Sequence, residues 1–152
     1  MIFDLFFVKD FTGANRHKLV KKTFRDYPVY KEIKGVEKFS NSESHYASFL
    51  EREDKTASFI ISSDLSIFIY GTAFTNNDYL TFSGVKPSKV SIKEFWNLYD
   101  KYADQVVKYL KGSFVIIIDD SPKNEVKVIT DSLNVLPLYF SFEKGLLSIA
   151  SY

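Results

Sequence analysis

The sequence predicts an α+β fold: strands, one long helix, then a run of antiparallel strands. Three observations predict it. Ile92, Phe95, Trp96, Tyr99, Ala103, Val106 and Leu110 recur at helical spacing and form one apolar stripe. Beyond Gly112, four short apolar segments alternate with turn-forming clusters. Before the helix, β-branched and aromatic residues dominate from Tyr46 to Leu80, as a sheet prefers. A one-sided apolar stripe must be buried against another element, so at least one sheet packs on the helix.

The elements follow in order. Residues Ile2–Val8 are a short apolar run and read as a buried strand. Asn15–Arg25 reads as a short helix with Leu19, Val20 and Phe24 inward. Arg16, Lys18, Lys21, Lys22 and Arg25 make it basic, which is better explained by a solvated face than by a patch for nucleic acid or an acidic partner. Thr56–Ser62 and Leu65–Tyr70 read as strands joined by the Ser63-Asp64 turn. Ser91 with Glu94 three residues on is a capping box that opens the helix at Ile92. Gly112 is placed to stop it. Ser113–Asp120, Glu125–Asp131, Leu138–Phe142 and Leu146–Ala150 then read as strands. Ser121-Pro-Lys-Asn124 and Glu143-Lys-Gly145 are hairpin connections. A last strand with a free side would invite pairing with another chain. A homodimer or a contact with a second domain is therefore expected.

Composition narrows the function classes. A chain of 152 residues suits one domain, 1–152, with a core large enough to hold itself together. The net charge of +1 argues against a broad nucleic-acid surface. Without cysteine there is no disulfide, thiolate zinc site, Fe–S ligation or thiol nucleophile. The start MIFDLFFVKD lacks a basic segment, and Asp4 interrupts its apolar run, unlike a secretory signal. No apolar run approaches the ~20 residues of a membrane helix. A cytoplasmic protein with no membrane and no nucleic-acid partner is expected.

Three segments then resemble a known family. Leu110-Lys-Gly-Ser-Phe-Val-Ile-Ile-Ile-Asp-Asp120 is similar to the L-x-G-x-F-A-F-x-x-x-D segment of class II glutamine amidotransferase domains. Thr130-Asp-Ser-Leu-Asn-Val-Leu-Pro-Leu-Tyr139 resembles their R-D-x-x-G-x-x-P-L-Y signature, and Leu147-Ser-Ile-Ala-Ser151 looks like the h-x-F-A-S-E strand that follows. Within that family the ordered set is most similar to the N-terminal domain of the asparagine synthetase group, which includes β-lactam synthetase and the lasso-peptide cyclases. The resemblance runs from the helix to Ser151; the first third of the chain matches weakly. It implies an Ntn-hydrolase-like αββα fold, two stacked antiparallel sheets with flanking helices, lacking its last strands and the synthetase domain that follows in the family. Gly112, Phe114, Asp131, Asn134, Pro137, Leu138 and Tyr139 carry the fold signature. Asn134 stands where the family has glycine, and Asn tolerates a left-handed backbone better than most residues. Pro137 stiffens a turn before a strand. Leu138 and Tyr139 read as core and half-buried strand residues.

The same resemblance implies that the chemistry is gone. In the family an amino-terminal cysteine attacks the glutamine carboxamide while its α-amine takes the proton. An Asn-Gly pair stabilises the oxyanion, and an Asp at the helix start holds the glutamine α-amine. Here the matching positions are Ile2, Tyr70-Gly71 and Ser91, and Thr130 replaces the signature arginine. Ser91 is more simply a helix cap. These positions mark a vestigial glutamine pocket, and no residue is assigned a catalytic or metal-binding role. The implied function is a catalytically inactive glutaminase-like domain that scaffolds an asparagine-synthetase-like, ATP-dependent amide-forming ligase domain, in the same or a separate chain. ATP and Mg would belong to that domain, and no cofactor is expected in this one.

The alternative is a stand-alone module that binds a peptide or small molecule. A third reading is a hydrolase whose Thr72 is uncovered by cleavage after Gly71, or whose nucleophile is uncovered beside Gly13. It lacks an activating base. His17 and His45 lie in polar segments and read as surface residues. Asp119, Asp120 and Asp131 read as hairpin-end aspartates that bond their own backbone rather than as a cation site. No Walker loop, dinucleotide fingerprint or zinc spacing is present.

Overall fold

The computed structural model describes residues 5–14, 36–42, 45–51, 55–75 and 89–151. In chain order the strands are β1 (Leu5–Asp10), β2 (Val36–Asn41), β3 (His45–Glu51), β4 (Ala57–Ile61) and β5 (Leu65–Thr75). Helix α1 (Ile92–Tyr102) and a 3-10 segment (Ala103–Tyr109) follow, then β6 (Leu110–Asp120), β7 (Glu125–Thr130), β8 (Leu138–Glu143) and β9 (Leu146–Ser151). The chain divides into two compact units, Met1–Glu53 with Pro137–Tyr152, and Asp54–Leu136. Each unit holds one antiparallel sheet, and α1 belongs to the second. Two antiparallel sheets and a helix are present, as the α+β class requires. The stretch expected to be a basic helix, Asn15–Arg25, lies outside the described residues.

The first unit carries the sheet β2-β3-β1-β9-β8. Phe6 and Val8 of β1 and Tyr46 of β3 are buried on one face, with Leu146 and Ala150 of β9 packed against them. Leu5, Phe7, Ala47, Phe49 and Ile149 are buried on the other. The last strand is not an edge. β9 pairs β1 on one side and β8 on the other, so Ser151 stands between Leu5 and Leu138. Its apolar residues occupy both faces, which suits an interior strand. The tight Lys144-Gly145 turn, with φ of 50° and 78°, sends β8 back to the outside. Among the described strands the outer members of this sheet are therefore β2 and β8.

The second unit carries the sheet β4-β5-β6-β7. Its core joins Ile67, Ile69 and Ala73 of β5 and Phe114, Ile116 and Ile118 of β6 to Phe95 of α1, together with Val106 and Leu110. Each of these side chains other than that of Ala73 contributes ~1.5–3 kcal/mol by leaving water. Helix α1 ends earlier than its apolar stripe suggests. Ala103, at φ 46° and ψ −129°, breaks the ladder, and the 3-10 segment carries Val106 into the same core. No glycine or proline near Ala103 signals the break. Trp96 and Ala103, expected inward, are exposed, and Leu98 and Tyr102 pack in their place. With Phe95 fixed inward, the next residue lies ~100° round the helix and must point away.

The helix start is as the sequence reads it. Ser91 Oγ accepts from the Glu94 N–H at 3.2 Å, and Glu94 Oε2 accepts from the Ser91 N–H at 2.7 Å. These bonds, the backbone one foremost, hold the Glu94 carboxyl below its ordinary range. Ser91→Ala is expected to cost about 1 kcal/mol at pH 7 in urea unfolding. A carboxylate with a depressed folded value stabilises above its unfolded value and stops doing so as pH falls through the folded one. The gap between wild type and variant should therefore narrow below the normal glutamate range. An equal gap at neutral and strongly acid pH would refute the reciprocal cap.

Gly112 does not stop the helix. It lies inside β6 at φ 120°, opposite Ala73, while Gly71 lies in β5 at φ 94°, opposite Phe114. A Cβ on Gly112 would overlap the Thr72 carbonyl oxygen, and one on Gly71 would overlap the Ser113 carbonyl oxygen. The two backbones approach too closely there for any side chain. A positive-φ glycine after a helical stripe suits a cap or a distorted strand equally, and here the strand wins because Leu110 already pairs with Thr75.

Candidate functional site

The positions matched to the glutamine pocket fall on β5 and at the start of α1, except Ile2, which lies outside the described residues. β5 places Tyr70 between Ala57 of β4 and Val115 of β6. Tyr70 is fully buried. Ile67, Ile69 and Ala73 face the helix core, so by strand alternation Tyr70 is on the opposite face. Ser91 is held near β5 because the Val90 N–H donates to the Ala73 carbonyl at 2.8 Å. Its hydroxyl and N–H are both engaged in the cap. The structure thus brings the β5 end and the helix start together, but not the Tyr70 and Ser91 side chains.

Gly71 is the one retained member of the expected oxyanion pair. Its N–H donates to the Thr56 carbonyl at 2.9 Å. That bond extends the β4–β5 ladder and consumes the donor a tetrahedral oxyanion would need. Thr72 continues β5 without interruption, paired to Ser113. Uncovering Thr72 as a terminus would cut an inner strand of the sheet, which argues against the self-cleaving reading.

The signature residues are divided between the units. Gly112, Phe114, Asp131 and Asn134 belong to the second, and Pro137, Leu138 and Tyr139 to the first. Asp131 is buried and ties its segment to β6. Its N–H donates to the Phe114 carbonyl at 3.2 Å, and its Oδ2 accepts from the Phe114 N–H at 3.3 Å. Oδ1 accepts from the N–H groups of Leu133 and Val135 at 3.0 and 3.3 Å. The carboxylate stands in for the backbone acceptor that β7 ceases to provide. Asn134 takes the left-handed conformation its place in the motif implies, at φ 48°. Tyr139, expected half-buried, is exposed on β8.

Asp120 caps the β6–β7 hairpin, accepting from the Lys123 N–H at 3.2 Å and its ammonium at 2.7 Å. The Lys123 ammonium, above all, holds the Asp120 carboxyl below its usual range. His17 lies outside the described residues. His45 is buried rather than exposed: Nδ1 lies 2.9 Å from Ser42 Oγ, and the ring stacks 5.7 Å from Phe7. A polar neighbourhood in sequence concealed this, because the ladder sets Lys9 of β1 opposite His45 and both are buried. Among the described residues no group of three or more His, Asp or Glu could hold a metal, and no helix is long and apolar enough to cross a membrane.

Sequence reasoning missed an open groove of about 470 Å³ in the second unit, lined by Asp104, Val107, Glu125, Lys127, Val128, Ile129 and Thr130. It runs between the 3-10 segment and β7, an outer strand of its sheet. The Lys127 ammonium meets the Asp104 carboxylate at 2.8 Å and lies over the Tyr99 ring. Hydrogen bonds that the ammonium makes to Asp104, then to Tyr99, hold Lys127 well above the ordinary lysine range. The lining lacks a nucleophile paired with a base; it offers a strand edge, apolar walls and a fixed charge pair. No family profile and no curated protein matches the chain.

Proposed function

We propose that this chain is a catalytically inactive, glutaminase-like domain of Ntn-hydrolase type that scaffolds an asparagine-synthetase-like, ATP-dependent amide-forming ligase domain in the cytoplasm. The observation that carries this reading is the state of the Tyr70-Gly71 pair. Tyr70 is buried in the sheet, and the Gly71 N–H is spent on Thr56. An amide-cleaving site needs donors aimed at the developing oxyanion, and the one backbone donor retained from the family pair is already engaged. The union of Phe114 and Asp131 supports the family reading, since it joins two of the three resembling segments in one hydrogen-bonded unit. In this reading ATP and Mg belong to the ligase domain.

The purified chain is expected to release no ammonia from glutamine above the blank at neutral pH. Co-expression with a ligase polypeptide encoded beside it, one carrying a Ser-Gly-Gly-hydrophobic-Asp-Ser/Thr adenylation loop, should yield a stable complex that turns over ATP. Glutamine-dependent ammonia release overturns the inactive reading, and a ligase that works equally well without the chain overturns the scaffold. The groove beside β7 favours a second reading, a stand-alone peptide or small-molecule binding module with no ligase partner.

A further inference from the structure

Among the described residues of the first unit, β8 carries an unusually exposed apolar surface. It is an outer member of its sheet among the described strands, yet it exposes 80% of Phe140 and 61% of Phe142. Cross-strand pairing places Ala47, Phe7, Ile149 and Phe140 in one row on one face. The first three are buried, and the row runs out into solvent at Phe140. Leu138, Phe140 and Phe142 share that face by alternation, and none is charged. The devices that usually blunt an open edge, such as a central lysine, a proline or a bulge, are missing from Leu138-Tyr-Phe-Ser-Phe-Glu143.

The backbone of β8 is equally suited to pairing. Glu143 and Leu146 flank a two-residue turn, so they form a hydrogen-bonded pair of the β8–β9 ladder. Pairs alternate along an antiparallel ladder. Tyr139, Ser141 and Glu143 therefore direct their backbone groups at β9, while Leu138, Phe140 and Phe142 direct theirs outward. The three residues with outward backbone groups are the three with apolar side chains on the continuous face.

We infer that β8 pairs antiparallel with β8 of a second copy of this chain about a twofold axis at Phe140, joining two five-stranded sheets into one. In this register Phe140 faces the second copy's Phe140, and Leu138 faces its Phe142. Outward N–H and C=O groups then meet outward groups, and aromatic meets apolar on a single face. The strand is thus complementary to itself, which points to a second copy rather than an unrelated segment. A fully buried aromatic ring removes 150–250 Å² from water. The exposed parts of Phe140 and Phe142 in two copies amount to about 500 Å², and the strand edges and Leu138 add to this. The total falls at the lower end of specific interfaces, so the dimer is a reversible one.

Sedimentation equilibrium on the 152-residue chain, from about 1 to about 500 μM, tests this. The wild type should pass from monomer to dimer. Phe140→Lys should weaken association at least tenfold and leave thermal unfolding unchanged, since the side chain is exposed. Val128→Lys on β7 should leave association intact. Wild-type amide exchange gives a readout that needs no variant: the Phe140 and Phe142 N–H groups should exchange more slowly as concentration rises, and that of Ser141, already bonded to β9, should not. A wild type that stays monomeric throughout overturns the proposal. So does a dimer that survives Phe140→Lys, or one whose new protection lies on β7.

Discussion

Gly112→Ala is expected to lower stability by about 4 kcal/mol, enough to leave a typical domain barely folded. Two effects add. At φ 120° the backbone occupies a region essentially reserved for glycine, which costs an L-residue ~1–3 kcal/mol. The new methyl also meets the Thr72 carbonyl, a backbone atom that cannot swing aside, so β5 and β6 must separate at their tightest point. Overpacking of this kind costs a further ~1–3 kcal/mol. The midpoint of thermal unfolding should fall by about 10 °C. Gly71→Ala should behave alike, because its methyl meets the Ser113 carbonyl. The double variant should cost less than the sum, since one separation of the strands relieves both overlaps. Gly13 is the control: its φ is 72° but nothing lies within 4 Å, so Gly13→Ala should cost only about 1 kcal/mol. Trp96, the single tryptophan, sits on α1 in the same unit and reports the transition by fluorescence. A Gly112→Ala variant within 1 kcal/mol of wild type would refute the close approach.

Asp131→Ala is expected to cost about 3 kcal/mol. It leaves three backbone N–H groups without their acceptor. The largest share comes from Phe114, whose N–H is buried, because an unsatisfied buried donor loses ~1–3 kcal/mol. Leu133 and Val135 are exposed, so water replaces much of what they lose. Asp131→Asn retains one side-chain oxygen, which serves either Phe114 or the Leu133–Val135 pair but not both. It should cost about half as much. Urea unfolding of the two variants checks the order. Equal losses would mean that the carboxylate acts only by its charge, and a negligible loss for Asp131→Ala would mean that the Phe114 bond contributes nothing.

The features readable in advance are those whose physics is local. Ser91 and Glu94 form their box within one helical turn. Asn134 takes the backbone its short polar side chain tolerates. The Ser63-Asp64, Ser121–Asn124 and Lys144-Gly145 connections fall where turn-formers cluster. The misread features depend on partners distant in sequence. Nothing near Gly112 tells that Thr72 will lie against it. Nothing near His45 tells that Phe7 and Lys9 will bury it. β9 looked like a free end because the residues that cover it, Leu5–Asp10, are at the opposite end of the chain. The candidate site was legible as a set of substitutions, Tyr70 and Ser91 among them. That the Gly71 N–H is already engaged was not, because a backbone bond leaves no mark on residue identity.

The meeting of β1 and β9 also sets the order in which the polypeptide can mature. Asp54–Leu136 is continuous, so its sheet and helix can assemble as soon as they leave the ribosome. The other sheet cannot close until Ser151 emerges to lie beside Leu5, nearly a full chain length away. Such distant contacts are slow to form because a long loop must first be ordered. Throughout synthesis the apolar Leu5–Val8 run must wait without β9, its most distant neighbour in sequence, and for that interval it is the segment most open to aggregation.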